Sequence, residues 1–168
     1  MIFIQRLFAL FRNYFHQPTR FFYNLFDKKQ AKHQSILVAL SGSQNDGKSI
    51  AIAKNLIQKK TGILIFVHVL EIDLKNPLDV EIQEKTSYGD KILSEILKKQ
   101  RIEKYNHKLV LLQARDAGPA IIFEAANQSA EVIIICDQKN NQQGVFNMSK
   151  TIKYVLTNSG CDVLLIHT

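Results

Sequence analysis

Short apolar runs alternate along the chain with longer segments in which apolar residues recur every three or four positions. The apolar runs contain few polar residues, which is typical of strands buried on both faces of a parallel sheet. Strands are predicted at Ser35–Leu40, Gly62–Leu70, Lys108–Ala114, Glu131–Cys136 and Asp162–His167. Helices are predicted at Lys48–Lys60, Ser87–Tyr105, Ala120–Gln128 and Met148–Asn158. This alternation indicates an α/β fold with a doubly wound parallel five-stranded sheet of the Rossmann-like type.

The first 34 residues have another pattern, that of an amphipathic helical extension with a large apolar face. Pro18 interrupts the first helix, and Thr19 is placed to cap a second one. The longest uncharged run is far short of the roughly 20 residues needed to span a bilayer. The apolar face is predicted to consist of Phe3, Ile4, Leu7, Phe8, Leu10, Phe11, Tyr14 and Phe15 in the first helix and Phe21, Phe22, Leu25 and Phe26 in the second.

Positive charge is concentrated in the same segment. The chain has a net charge of +7, and residues 1–35 hold six basic residues against one acid, Asp27. A basic amphipathic helix with bulky apolar residues can lie in a membrane interface. We therefore predict that residues 1–34 bind a membrane surface or a membrane protein complex through the apolar face together with Arg6, Arg12 and Arg20. Packing of this face on the chain's own domain and a mitochondrial presequence are the alternatives.

A complete phosphate-loop pattern, Gly42-x-x-x-x-Gly47-Lys48-Ser49, follows the first predicted strand and opens a predicted helix. In such a loop the backbone N–H groups cradle phosphates, the lysine binds the β- and γ-phosphates and the hydroxyl binds Mg²⁺. Asp137, after the fourth strand, would supply the acidic residue. The pattern predicts a small nucleotide-binding switch or NTPase as the alternative function. Because no catalytic constellation or metal-ligand spacing follows, we predict no catalytic residue and no metal.

From Ser35 onward the chain resembles the universal stress protein family. Four stretches carry this resemblance in the family's order and spacing: ILVALSGS, GILIFVHVLE, ARDAGPAIIFEAANQSAEVIII and SKTIKYVLTNSGCDVLLI. The resemblance implies one α/β domain over residues 35–168 and leaves the first 34 residues unexplained. It also implies pairing of two copies through the apolar edge of the last strand, at Val163, Leu164, Leu165 and Ile166.

The resemblance also points to a nucleotide site, but the chain departs from the family there. Family members that bind ATP use a Gly-x2-Gly-x9-Gly-Ser/Thr signature after the fourth strand. The aligned residues are Cys136, Lys139, Ser149 and Lys150, so all three glycines are replaced. This departure implies that the nucleotide site is degenerate and that no cofactor binds. ATP is the one cofactor that the resemblance leaves possible. If a nucleotide binds, the residues expected to hold it are Ser41, Gly42, Ser43, Gly47, Lys48, Ser49 and Asp137.

The leading interpretation is a non-catalytic, universal-stress-protein-like module that the N-terminal helices hold at the cytoplasmic face of a membrane. There it would serve as a regulatory or structural subunit. Cys136 and Cys161 lack the spacing of a disulfide or metal site and fit buried thiols in a reducing cytosol. Since the part after residue 35 is nearly neutral, no nucleic-acid partner is predicted. Glu71 and Asp73 are predicted to be solvated.

Overall fold

The computed structural model describes residues 32–77, 83–137 and 148–167. The strands are β1 Ser35–Leu40, β2 Ile63–Glu71, β3 Asn106–Ala114, β4 Val132–Asp137 and β5 Asp162–His167. The helices are α1 Asp46–Leu56, α2 Gln83–Gln100, α3 Ala117–Asn127 and α4 Lys150–Asn158, with a short 3-10 helix at Ile102–Lys104. The alternation is as the sequence predicts, with shifts only at element ends. Of the predicted tether at residues 1–34, residues 1–31 lie outside the described residues.

All five strands run parallel in the order β3-β2-β1-β4-β5. Each parallel neighbour is reached through a helix, which confirms the predicted doubly wound α/β sheet. The order reverses between β1 and β4, because β2 and β3 lie on one side of β1 and β4 and β5 on the other. In open α/β sheets a crevice forms at the carboxyl ends of the strands where the order reverses.

The core has two layers, one on each face of the sheet. Every residue of β1 is buried, and successive side chains point to opposite faces. Ile36 and Val38 pack with residues of α1 and α2, whereas Leu37 and Ala39 pack with residues of α3 and α4. Among the described residues, the largest fully buried side chain is that of Phe66 in β2. The helices are thereby fixed in pairs, with their N-termini at the carboxyl edge of the sheet.

The helix before β3 ends earlier than its periodicity predicts. Arg101 adopts a φ of 50°, in the left-handed region, and this ends α2 at Gln100. The next three residues form the 3-10 helix, whose Ile102 is fully buried. A left-handed residue commonly terminates helices. The consequence is a bend that brings the basic residues after α2 toward the end of α1.

The last strand, β5, pairs with β4 and has no second neighbour among the described residues. Val163, Leu164, Leu165 and Ile166 are each half-buried. Pairing of two copies along this edge stays a prediction. Cys136 and Cys161 are not joined in a disulfide, and both are partly exposed, whereas the sequence analysis expected buried thiols. No helix in residues 32–77, 83–137 or 148–167 is long and apolar enough to cross a membrane.

Candidate functional site

A cleft of about 400 Å³ opens at the carboxyl ends of β1, β2 and β4, on the side covered by α3 and α4. Its charged lining residues within the described ranges are Glu71 and Asp137, and neither a lysine nor an arginine joins them. Among the described residues, a phosphate group entering this cleft would therefore meet carboxylates and no lysine or arginine. The described lining consists of Ala39, Leu40, Ser41, Val67, His68, Val69, Glu71, Ala117, Ile121, Ile135, Cys136, Asp137, Ser149, Thr151 and Ile152.

The loop between β1 and α1 is held by a carboxylate that the sequence analysis did not single out. Asp46 is only 4% exposed. Its Oδ2 accepts a hydrogen bond from the backbone N–H of Gly42 at 2.8 Å, and its Oδ1 accepts one from the N–H of Ser41 at 3.2 Å. The Ser41 hydroxyl lies 3.0 Å from the same Oδ1. Two backbone donors at the start of the loop are thus bonded to the chain's own acid.

Gly42 has a structural reason to be glycine that does not involve a ligand. Its φ is 81°, a conformation that L side chains rarely adopt. A Cβ at this position would come within 2.7 Å of Cδ1 of Ile92 in α2. The first glycine of the phosphate-loop pattern is therefore required by a tight turn packed under α2.

The second half of the pattern lies in the first turn of α1, outside the cleft lining. Ser49 is 0% exposed, and its hydroxyl has no hydrogen-bond partner among the described residues. Lys48 is exposed, and Gly47 is half-buried. A serine that faces the core cannot bind a magnesium ion in the cleft without movement of the helix, so this geometry does not favour the phosphate-loop interpretation.

Asp137 ends β4 and lines the cleft, as predicted from its place after the fourth strand. It is only 5% exposed, and its Oδ2 lies 3.4 Å from Nδ1 of His167, the residue paired with it in β5. Of the seven predicted nucleotide-binding residues, only Ser41 and Asp137 line the cleft. Gly42 and Ser43 lie in the adjacent loop, and the other three lie in α1.

The two other helices beside the cleft also have capped N-termini. Oε1 of Glu71 accepts a hydrogen bond from the backbone N–H of Ala117 at 2.9 Å, in the first turn of α3. Glu71 is exposed to solvent, as predicted, and in addition it accepts this hydrogen bond. Ser149 caps α4 by accepting a hydrogen bond from the N–H of Ile152 at 3.3 Å. Helix N-termini are common anion sites, and here the chain's own oxygens occupy both.

Lys150, which the sequence analysis aligned with the hydroxyl residue of the ATP signature, is engaged by an acid. Its Nζ donates a hydrogen bond to Oδ1 of Asp116 at 2.5 Å. This hydrogen bond, together with the charge of Asp116, raises the pKa of Lys150. Since both side chains are largely exposed, the pair contributes little to stability. The negative charge of Asp116 does, however, offset the positive charge of Lys150, which follows the cleft residue Ser149.

The described residues offer little further chemistry. No group of three or more His, Cys, Asp or Glu residues within them is arranged to hold a metal ion. A second, shallow depression of about 650 Å³ follows the outer face of α4 and is lined by residues 148–158 alone. Because no other element contributes to that depression, it brings no new functional groups together.

The sequence profile of the universal stress protein family matches residues 32–167 of this chain. That match covers the whole α/β domain and extends three residues before the predicted boundary at Ser35. No curated protein sequence matches the chain.

Several solved structures share the fold. A universal stress protein from Archaeoglobus fulgidus is 18% identical with a TM-score of 0.63, over 80% of this chain and 94% of that protein. An A. fulgidus universal stress protein in complex with dAMP is 18% identical with a TM-score of 0.60, over 79% and 97% of the two chains. A universal stress protein in complex with cAMP is 14% identical with a TM-score of 0.58, over 81% and 98%.

Proposed function

Since the chain belongs to the universal stress protein family, we propose that it is a non-catalytic member whose nucleotide site has degenerated. Its N-terminal residues tether it to the cytoplasmic face of a membrane, where it acts as a regulatory or structural subunit. Solved structures of the same fold contain cAMP or dAMP. In this chain the corresponding edge of the sheet is proposed to bind no nucleotide.

The observation that carries the first half of this proposal is the bonding of Asp46 in the β1–α1 loop. Its carboxylate occupies the N–H groups of Ser41 and Gly42. An incoming phosphate would have to displace a buried carboxylate and would be repelled by it at short range. The acids Glu71 and Asp137 in the cleft lining add to that repulsion.

We expect no stabilisation of the full chain by Mg·ATP in a thermal-shift or calorimetric titration, and the same null result for Lys48→Ala. A ligand that bound only the folded state would add about 2.7 kcal/mol at 100 times its Kd. Lys91→Ala, which removes an exposed lysine from the middle of α2, is the matched control. Micromolar binding lost only in Lys48→Ala would instead support a working phosphate loop. Binding that survives in both variants would support a residual family-type site.

The second half of the proposal is supported by the sequence pattern of residues 1–34. The twelve residues of the predicted apolar face and the three arginines there match a segment that lies in a membrane interface. A membrane protein with an apolar groove is the other partner that this pattern fits. Binding to anionic vesicles free of protein distinguishes the two, because only the first partner is present in them.

We also propose that two copies pair through β5. Ile166→Lys is expected to shift the full chain toward the monomer in sedimentation velocity, because it places a charge on a half-buried edge. Leu112→Lys is the matched control, since Leu112 is half-buried on the opposite edge strand, β3. Circular dichroism of both variants checks that they remain folded. Equal sedimentation of the two variants would contradict pairing through β5.

A further inference from the structure

The described part of the chain has a strongly uneven distribution of charge. Residues 54–60 and 98–108 contain eight lysines and arginines and one acid, Glu103. The rest of the described residues contain eight basic residues and eleven acids. These two segments, called the basic end below, comprise the last turns of α1 and α2, the connections that follow them and the start of β3.

The two segments of the basic end lie against each other. Nζ of Lys54, in the last turn of α1, donates a hydrogen bond to the carbonyl oxygen of Gln100 at the end of α2. The same Nζ lies 5.9 Å from the centre of the Tyr105 ring. The first residues of β2 and β3, Ile63 and Asn106, are paired in the sheet, so the connections before them adjoin as well. The basic residues therefore form one surface at the amino-terminal end of the sheet.

Positive charges on this surface outnumber the acids, and one of them, Lys99, is paired with Glu95. Partial burial, and after it the charge of Arg101, lower the pKa of Lys54. Lys59, Lys60 and Lys104 are exposed. Lysines near a helix C-terminus interact favourably with the negative end of the helix dipole, and this explains the lysines in the last turns of α1 and α2. It does not explain Lys59, Lys60 or Lys104, which lie in the connections after those helices.

The N-terminal segment joins the domain at this same surface. Lys32 is the first described residue, and its Nζ donates a hydrogen bond to the carbonyl oxygen of Asn55 near the end of α1. Gln34 accepts a hydrogen bond from the Thr61 hydroxyl, beside Lys60. The chain before Lys32 carries Lys28 and Lys29. The chain therefore enters the described domain at the basic end, whereas the cleft lies at the carboxyl ends of the strands.

We propose that the basic end is a membrane-docking surface that contacts the phosphates of anionic lipid headgroups. The inference rests on the proposed tether, and it adds a defined orientation of the domain. Anionic leaflets attract basic residues within a Debye length, about 8 Å at physiological ionic strength. The cleft then faces away from the bilayer, toward partners in solution.

The test uses the full chain with Lys59, Lys60 and Lys104 all replaced by glutamine. Partition is measured on phosphatidylcholine vesicles containing about 30 mol % phosphatidylserine, an anionic lipid of cytoplasmic leaflets. We expect the partition coefficient to fall by roughly tenfold or more, given about fivefold for each basic residue at the surface. The control replaces Lys75, Lys91 and Lys153, three exposed lysines outside the basic end, and should leave partition within about twofold.

Each outcome of this test has a separate meaning. Equal partition of the two triple variants, with the unchanged chain bound, overturns the docking surface and leaves the tether standing. If the unchanged chain does not bind these vesicles at all, the proposed lipid tether itself fails, and the docking surface fails with it. Retention of the unchanged chain on duplex DNA that depends on the same three lysines, without vesicle binding, would reassign the surface to nucleic acid.

Discussion

Replacing Phe8 and Phe11 together by aspartate in the full chain is expected to reduce its partition onto anionic vesicles by at least about 100-fold. Full burial of one large apolar side chain is worth about 1.5–3 kcal/mol. Two half-buried phenylalanines therefore account for roughly 1.5–3 kcal/mol, and each new carboxylate adds repulsion of about 1 kcal/mol near an anionic leaflet. Vesicle co-sedimentation at several salt concentrations measures the change.

The matched control for this variant is Gln5→Asp with Asn13→Asp, which adds the same charge on the predicted polar side. This control variant is expected to bind vesicles more weakly through electrostatic repulsion alone, and its partition should approach that of the unchanged chain as salt is raised. The aspartates at Phe8 and Phe11 should remain defective in high salt, because the lost apolar burial is not screened. Equal behaviour of the two variants would mean that the aromatic face does not enter the bilayer, and a protein partner would then be the remaining proposal.

The fold could be predicted because its signal is local. The run at Ser35–Leu40 has no charged residue, which is typical of a parallel strand covered on both faces by helices, and the run is completely buried. The predictions of helix ends were less accurate, since the end of α2 depends on the left-handed conformation of one arginine, Arg101. A glycine in the sequence indicates that a left-handed conformation is possible at its position, whereas an arginine gives no such indication.

The site was predicted less well because its decisive contacts join positions that spacing alone does not relate. Glu71 caps α3 through Ala117, a contact across 46 residues of sequence. Ser49 did leave a local signal, since it lies one turn before Ala53 on the buried side of α1. That periodicity indicates a core-facing serine, whereas the phosphate-loop pattern records only the order of residue types.

Asp46→Ala is expected to lower the free energy of unfolding by about 2–4 kcal/mol. The substitution removes the charged acceptor of the part-buried hydrogen bonds from the N–H groups of Ser41 and Gly42, and hydrogen bonds to charged groups are worth roughly 1.5–3 kcal/mol. It also removes a negative charge from the first turn of α1, which is worth about 0.3–1 kcal/mol there. Urea denaturation followed by circular dichroism measures the change in the full chain.

Asp90→Ala is the control for this substitution, because Asp90 is an exposed carboxylate in α2 and its loss should change stability by no more than about 0.5 kcal/mol. Asp46→Asn keeps an acceptor oxygen and should fall between the two. If Asp46→Ala were no less stable than Asp90→Ala, the carboxylate would not be holding the loop. The loop donors would then be open to a phosphate, and the case for a degenerate nucleotide site would lose its main support.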